Sequence, residues 1–194
     1  PKWFARGNAE LETALRQTQA RAQTRGIPFR LWLRPGEKDR KIVMLTDDPF
    51  AIYEHEIDMG PNRQREHLTC RGGMDRADVE CPVCTSTDKF AYYLSIYCVL
   101  DMQSWTSKRE GKTYPYSKRL LCTKQTMSAE LRDLAEEYKG LRGCVFAVSR
   151  TDEKSFTSGN KFKFVKRLSE TDLRKHFGKD AEPQSDLWAK MEKW

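Results

Sequence analysis

FAYYLSIYCVLD, residues 90–101, is the run on which the fold turns. Tyr92, Leu94, Ile96, Cys98 and Leu100 alternate with Tyr93, Ser95, Tyr97 and Val99. An alternating run rich in aromatic and β-branched residues predicts a strand, here the strongest in the chain. Weaker strands are predicted before it. Phe29, Leu31 and Leu33 alternate with Arg30, Trp32 and Arg34 up to Pro35-Gly36. Two more short strands, around residues 41–45 and 50–57, are separated by Asp47-Asp48-Pro49. A proline that lacks an N–H, beside two short polar side chains, interrupts a ladder.

After the central run come a polar, basic hairpin (103–119) and a short strand at 119–122. An amphipathic helix follows over 128–139, with Ser128 as its expected cap, Leu131, Leu134, Ala135 and Tyr138 as its stripe, and Gly140 as its stop. CVFAVSR and KFKFVKRL read as two strands around the ten-residue loop TDEKSFTSGN. SETDLRKHFG reads as a short helix with a capping box and a terminal Gly178. This order predicts a mainly β chain with helices, shaped as an OB-fold-like small barrel with an inserted zinc module. Residues 1–26 read as an N-terminal helix or arm, 27–168 as the core, and 169–194 as a helical tail with Leu187, Met191 and Trp194 on one face.

The 194 residues carry a net charge of +7. Residues 85–169 hold 16 Lys/Arg against 9 Asp/Glu, whereas residues 1–84 hold 14 against 13, so the basic excess follows the cysteine-rich stretch. A localised basic excess is the footprint of a polyanion binder. No apolar run is long enough for a membrane span, and no secretory pattern is seen. The six cysteines are therefore expected to be reduced thiols in a cytoplasm.

Three of those thiols and one histidine are spaced His67-x2-Cys70-x10-Cys81-x2-Cys84. Two ligand pairs at matched gaps point to one structural Zn²⁺ held by His67, Cys70, Cys81 and Cys84, with His55 as the alternative fourth ligand. Cys98, Cys122 and Cys144 fall in apolar patterns and read as inert core thiols. Four protein ligands leave no open position for catalysis, and hydrolase, deaminase and nucleotide-loop motifs are absent, so no enzyme is expected.

Aromatics and cations interleave after the cluster. Tyr92, Tyr93, Tyr97, Trp105, Tyr114, Tyr116 and Phe156 supply flat faces. Lys108, Arg109, Lys112, Lys118, Arg119, Arg150, Lys154, Lys161 and Lys163 supply charge. Cations neutralise phosphates and flat rings stack on unpaired bases without regard to sequence, so single-stranded DNA is the expected partner. The helix at 128–139 carries Glu130, Asp133, Glu136 and Glu137 and is unsuited to lie against a duplex. A second reading is a zinc-ribbon adaptor for RNA polymerase or the transcription machinery.

Leu33-Arg34-Pro35, Pro49-Phe50-Ala51-Ile52, Cys81-Pro82-Val83-Cys84, Tyr92-Tyr93, the stretch from Gly111 to Tyr116, the stretch from Gly143 to Val148, and Ser155-Phe156-Thr157 occur here in a telling order. Over about residues 29–165 the chain resembles the helix-destabilising single-stranded-DNA-binding proteins of T-even phages. The resemblance implies an OB core with a structural zinc module, a basic aromatic cleft, and a role in phage DNA replication, recombination and repair in the host cytoplasm. It puts zinc on His67, Cys70, Cys81 and Cys84, and base stacking on Tyr92, Tyr116 and Phe156. There are two departures. The His-to-Cys gap here is much shorter than in that family. The near-neutral SDLWAKMEKW stands where that family has a long acidic tail, and its apolar face is offered to replication or transcription proteins.

Overall fold

The expected spine is present: Tyr92–Asp101 is the longest strand and has three strand neighbours. The computed structural model describes residues 29–57, 66–70, 72, 80–86, 91–107 and 110–183. The expected N-terminal arm, and Leu187, Met191 and Trp194 of the tail, lie outside these residues. In chain order the elements are β1 (Arg40–Met44), β2 (Phe50–Ile57), β3 (Glu66–Thr69), α1 (Pro82–Ser86), β4 (Tyr92–Asp101), β5 (Trp105–Thr106) and β6 (Thr113–Tyr114). They continue with β7 (Ser117–Lys124), α2 (Gln125–Glu137), β8 (Cys144–Ser149), β9 (Lys161–Arg167), α3 (Glu170–Phe177) and a 3-10 turn at Gly178–Ala181.

β7 runs antiparallel along one edge of β4, from Leu94↔Lys124 to Asp101↔Ser117. The other edge is shared. β1 takes its C-terminal end (Met44↔Val99) and β2 its N-terminal end (Phe50↔Ile96). β1 and β2 are thus one line of pairing with an excursion at residues 45–49. Cys98 N–H donates to Thr46 Oγ1 (3.3 Å) at the start of that excursion, and Asp47 Oδ1 accepts from Arg142 N–H (2.8 Å). The Asp-Asp-Pro break read from the sequence is this bulge. β3 extends the sheet beyond β2, while β8 and β9 extend it beyond β1.

β4 is buried on both faces from Leu94 onward. Tyr97 and Val99 join Leu31, Leu33, Ile42, Met44, Leu121, Leu131, Phe146 and Val148 in the larger core cluster. Cys98 and Leu100 join Val43, Leu45, Val145, Leu173, Phe177 and Ala181 in the second. α2 covers the first face and α3 the second. Residues 169–183, expected in the tail, thus supply three buried side chains to the core. Leu173 and Phe177 each contribute roughly 1.5–3 kcal/mol by burial, and the Ala181 methyl about 0.8 kcal/mol.

Among the described residues the chain is mainly antiparallel β with three helices, and its seven-stranded sheet is not closed. The expected barrel is therefore not completed by strand pairing. Residues 29–34, expected as a strand, make one isolated parallel bridge, Arg30↔Leu120. Leu31 N–H donates to Leu120 O on β7 (2.7 Å), and Leu33 N–H donates to Thr157 O before β9 (2.8 Å). α2 begins three residues before its expected cap. Ser128 Oγ bonds back to Lys124 O (3.1 Å), the back-bonding that serine makes inside a helix. None of the described helices is long and apolar enough to cross a membrane.

α3 has the expected capping box: Ser169 Oγ accepts from Asp172 N–H and the Asp172 side chain accepts from Ser169 N–H. Its first residue, Glu170, receives two hydrogen bonds from Arg142, at 2.6 and 3.0 Å. These bonds hold the Glu170 carboxyl below its ordinary value. A carboxyl lowered by folding contributes stability above its unfolded value of about 4.3, and that contribution is lost as pH falls through the folded value. Glu170→Gln should therefore show a shallower fall in melting temperature below about pH 4.3 than the parent protein. Parallel profiles down to pH 2.5 would show that the pair contributes nothing.

Candidate metal centre and aromatic surface

The metal ligands are gathered by β2, the end of β3, and α1. His55, Cys70, Cys81 and Cys84 place one donor atom each within 4.8 Å of one another. His55 Nε2 lies 3.5 Å from Cys81 Sγ and 3.4 Å from Cys84 Sγ, and Cys70 Sγ lies 3.5 Å from Cys84 Sγ. None of the three thiols is in a disulfide. His55, Cys70 and Cys81 are buried. This group can hold a metal ion.

His67, the expected fourth ligand, is not in it. The H-x2-C gap suits two ligands on a turn, but His67 belongs to a strand that Cys70 directly follows. Side chains alternate along an extended chain, so residues three apart face opposite ways. β3 pairs with β2 in the register His55↔Leu68 and Glu56↔His67. Opposite residues share a face, so His55 shares Leu68's face, and Cys70, two residues on, stays with it. Cys70 N–H is held there by Tyr53 O (2.7 Å). His67 turns to the other face, where Nδ1 is 2.8 Å from Glu54 Oε1 and 3.1 Å from Tyr92 Oη.

Cys81-Pro82-Val83-Cys84 forms the start of α1. The backbone N–H of Cys84, together with that of Val83, points at the Cys81 sulfur and draws its thiol down to about 6. Cys84 is pushed up to about 11, first by the hydrogen bond it shares with Cys70. The Cys81 thiolate is thus ready-made, and Cys84 releases its proton when a cation enters. His55 Nδ1 is buried and has no hydrogen-bond partner among the described residues. With Nε2 facing three sulfurs, Nδ1 carries the proton when a cation is bound. Cys98, Cys122 and Cys144 are buried away from the group, and burial pushes Cys122 up to about 12. That protonated state fits the inert role expected of Cys122.

Beside the metal group, Glu54 is the centre of a polar knot. Arg30 binds it with both terminal nitrogens, and Tyr92 Oη donates to Oε1 at 2.8 Å. Burial alone would raise the Glu54 carboxyl, but these bonds and the Arg30 charge hold it below its ordinary value. The knot fixes the Tyr92 ring, which lies against Lys124 Nζ at 4.2 Å. Phe156 comes to the same amine from the loop before β9, at 5.3 Å. Lys124 also faces Glu56 Oε2 at 3.6 Å. Lys154 is exposed on the loop that carries Phe156, and Lys161 and Lys163 are exposed on β9. Tyr93 is half-buried and edge-on to Tyr53, with centroids 5.8 Å apart.

Other expected contact residues are engaged elsewhere. Tyr97 is buried in the larger core cluster, and burial pushes its phenol up to about 12. The amphipathic reading of β4 missed this because both faces of the strand are covered. Arg150 is buried, and its guanidinium donates to Leu33 O (2.9 Å), Glu153 O (3.0 Å) and Ser155 O (3.1 Å). It stitches residues 29–34 to the loop after β8 and is no free cation. The Tyr116 ring packs edge-on against Phe177 (5.2 Å) while its hydroxyl donates to Asp180 (3.1 Å). Lys118 Nζ donates to Glu182 O (2.9 Å). Lys108 and Arg109 lie outside the described residues.

In the β5–β6 hairpin, Trp105 stacks on Tyr114 (5.0 Å, 17°), and Lys112 Nζ sits over Tyr114 at 5.2 Å. Arg119 lies over the exposed Phe29 ring at 5.9 Å. Phe29, Trp32 and Arg34 were not among the expected contact residues, yet all three are exposed. For Trp32 and Arg34 the signal lay in the alternation itself: once Leu31 and Leu33 turn inward, these two must turn out, whereas Phe29 shares the parity of the leucines and is exposed against that pattern. Comparison with family models, with curated proteins and with solved structures finds no match.

Proposed function

We propose that this chain binds single-stranded DNA with little regard to sequence, and that its metal group holds one structural Zn²⁺. The observation that carries the reading is the meeting of Tyr92 and Phe156 at Lys124 Nζ, at 4.2 and 5.3 Å. These rings are two of the three stacking positions implied by the resemblance, and they come from elements 64 positions apart in the chain. A cation between two part-exposed rings is the local arrangement that unpaired bases and their phosphate require.

The donor set supports zinc. A tetrahedron with Zn–S of about 2.3 Å and Zn–N of about 2.0–2.1 Å has edges of about 3.8 Å between sulfurs and about 3.6 Å between sulfur and nitrogen. Three of the six edges are 3.4–3.5 Å, close to those values, and all four donor atoms lie within 4.8 Å of one another. With His55 as the ligand, fourteen residues separate the histidine from Cys70, in place of the two that separate His67 from it. Three thiolates outweigh one Zn²⁺, so the centre repels phosphate. Its proposed work is to clamp β2 and the end of β3 to α1 and so to hold the Glu54 knot under Tyr92.

The finer fold reading belongs to the same proposal. Residues 29–34, hydrogen-bonded to β7 on one side and to the loop before β9 on the other, stand where an OB-like barrel needs its closing strand. The biological setting is phage DNA replication, recombination and repair, with replication or transcription proteins as partners of the C-terminal residues. Competition against a labelled oligo-dT tests the binding. Unlabelled mixed-sequence single strands should displace it as well as oligo-dT does, and duplex of equal length at least about tenfold less well. Equal displacement by duplex would overturn the proposal.

A further inference from the structure

A second group of exposed aromatics and arginines lies outside the Tyr92–Phe156 patch. Arg30, Trp32, Arg34, Trp105 and Arg119 line a groove of ≈650 Å³. The volume is within the range of ligand-binding clefts. Trp32 is 55% exposed and Trp105 41% exposed, unusual for a side chain that is mostly buried in folded proteins. The backbone that carries Trp32 is anchored by Leu31 and Leu33, which are fully buried on either side of it. Trp105 is fixed by its stack on Tyr114 and by the bond from Nε1 to Tyr116 O (3.2 Å). A ring held in place loses little freedom when a ligand covers it.

The charges sort into engaged and available. Arg40, also in the groove, is held by both acids that line it, Glu37 and Asp101. Arg30 is held by Glu54. Arg34 and Arg119 have no ion pair among the described residues; Arg119 Nε meets Ser117 Oγ at 3.0 Å and its guanidinium lies over the Phe29 ring at 5.9 Å. The groove therefore offers two flat faces and two guanidinium groups that no acid among the described residues neutralises. Arginine is suited to phosphate by its fork of donors, and tryptophan to an unpaired base by its area.

We infer that this groove is a second stacking site on the path of the same single strand. Continuity supports a passing strand over a captured small molecule. Arg30 lines the groove and also binds Glu54, which accepts from Tyr92. One side chain therefore belongs to the groove and to the knot that fixes the first patch. The inference rests on the reading above, that the chain binds single-stranded DNA.

The test uses the full chain, oligo-dT, and two double variants, Trp32→Ala/Trp105→Ala and Arg34→Ala/Arg119→Ala, at several salt concentrations. Loss of a stacked base should weaken binding by between about 5-fold and 150-fold. Loss of two phosphate contacts should lower the slope of log affinity against log salt by about 1.4. Trp32→Phe/Trp105→Phe should recover part of the affinity. Trp32 and Arg34 are exposed, so Trp32→Ala and Arg34→Ala alone should keep the parent's melting temperature, whereas the double variants also remove the Trp105–Tyr114 stack or the Arg119–Phe29 contact and should melt slightly lower. If the parent protein binds and Tyr92→Ala/Phe156→Ala weakens it, but both groove variants bind within twofold of the parent with the same salt slope, the second site is refuted and the function stands. If the parent protein itself does not bind oligo-dT, the function fails, and the groove assignment with it.

Discussion

His55→Ala is expected to lose the metal, whereas His67→Ala is expected to keep it. His55 Nε2 is within 3.5 Å of two of the three sulfurs, whereas His67 Nδ1 faces Glu54. Removing His55 leaves three thiols around a site that has lost a buried ligand. Structural zinc in small modules is worth roughly 10–16 kcal/mol of apparent binding energy at neutral pH. Forfeiting even a third of that should lower the melting temperature by on the order of 10 °C, given about 2–4 °C per kcal/mol at this chain length. Metal content by elemental analysis, with melting curves before and after chelation, measures both effects. A His67→Ala protein that loses its metal while His55→Ala retains it would reverse the ligand assignment. The parent protein after chelation should resemble His55→Ala, with DNA affinity falling because the Tyr92 platform is no longer held.

The double variant Tyr92→Ala/Phe156→Ala is expected to weaken oligo-dT binding by at least about 30-fold. That corresponds to about 2 kcal/mol, the lower bound for two stacked bases. The two rings flank one amine, so their effects should not add independently. Tyr92 also donates to Glu54, and its truncation alone confuses stacking with loss of that bond. Tyr92→Phe separates them, because it removes the hydroxyl and keeps the ring: binding within about threefold of the parent is expected. If Tyr92→Phe weakens binding as much as Tyr92→Ala, the ring is not a stacking platform and the hydroxyl network is what matters. Tyr97→Phe should leave binding unchanged, since Tyr97 is buried in the core.

Local patterns were readable where one residue's neighbours decide its role. The alternation of β4, the capping box at Ser169, and the Cys81–Cys84 turn all depend on residues within four positions, and all were visible in the sequence. The choice between His55 and His67 depended on the conformation between ligands. A two-residue gap looks the same in a turn and along a strand, but a strand sends its two ends to opposite faces. Tyr97 and Arg150 failed for another reason. Whether Tyr97's face of the strand is covered is set by α2, whose buried Leu131 comes 34 positions later. Whether an arginine points to water or to the carbonyls of Leu33, Glu153 and Ser155 is set by how residues 29–34 cross the sheet opening. Trp32 was legible in the alternation, since it shares its face with Arg30 and Arg34 and not with Leu31 and Leu33.

Single-strand binding through phosphate neutralisation and base stacking is measured by an equilibrium titration with oligo-dT and with duplex of the same length at 50 and 200 mM salt. Tighter binding of the single strand at both concentrations is predicted, with affinity falling on going to 200 mM by a slope of about 0.7 per phosphate contacted. A persistent preference for the single strand as the electrostatic part weakens is the mark of stacking. Absence of binding at 50 mM, or equal affinity for duplex at both concentrations, would contradict the account.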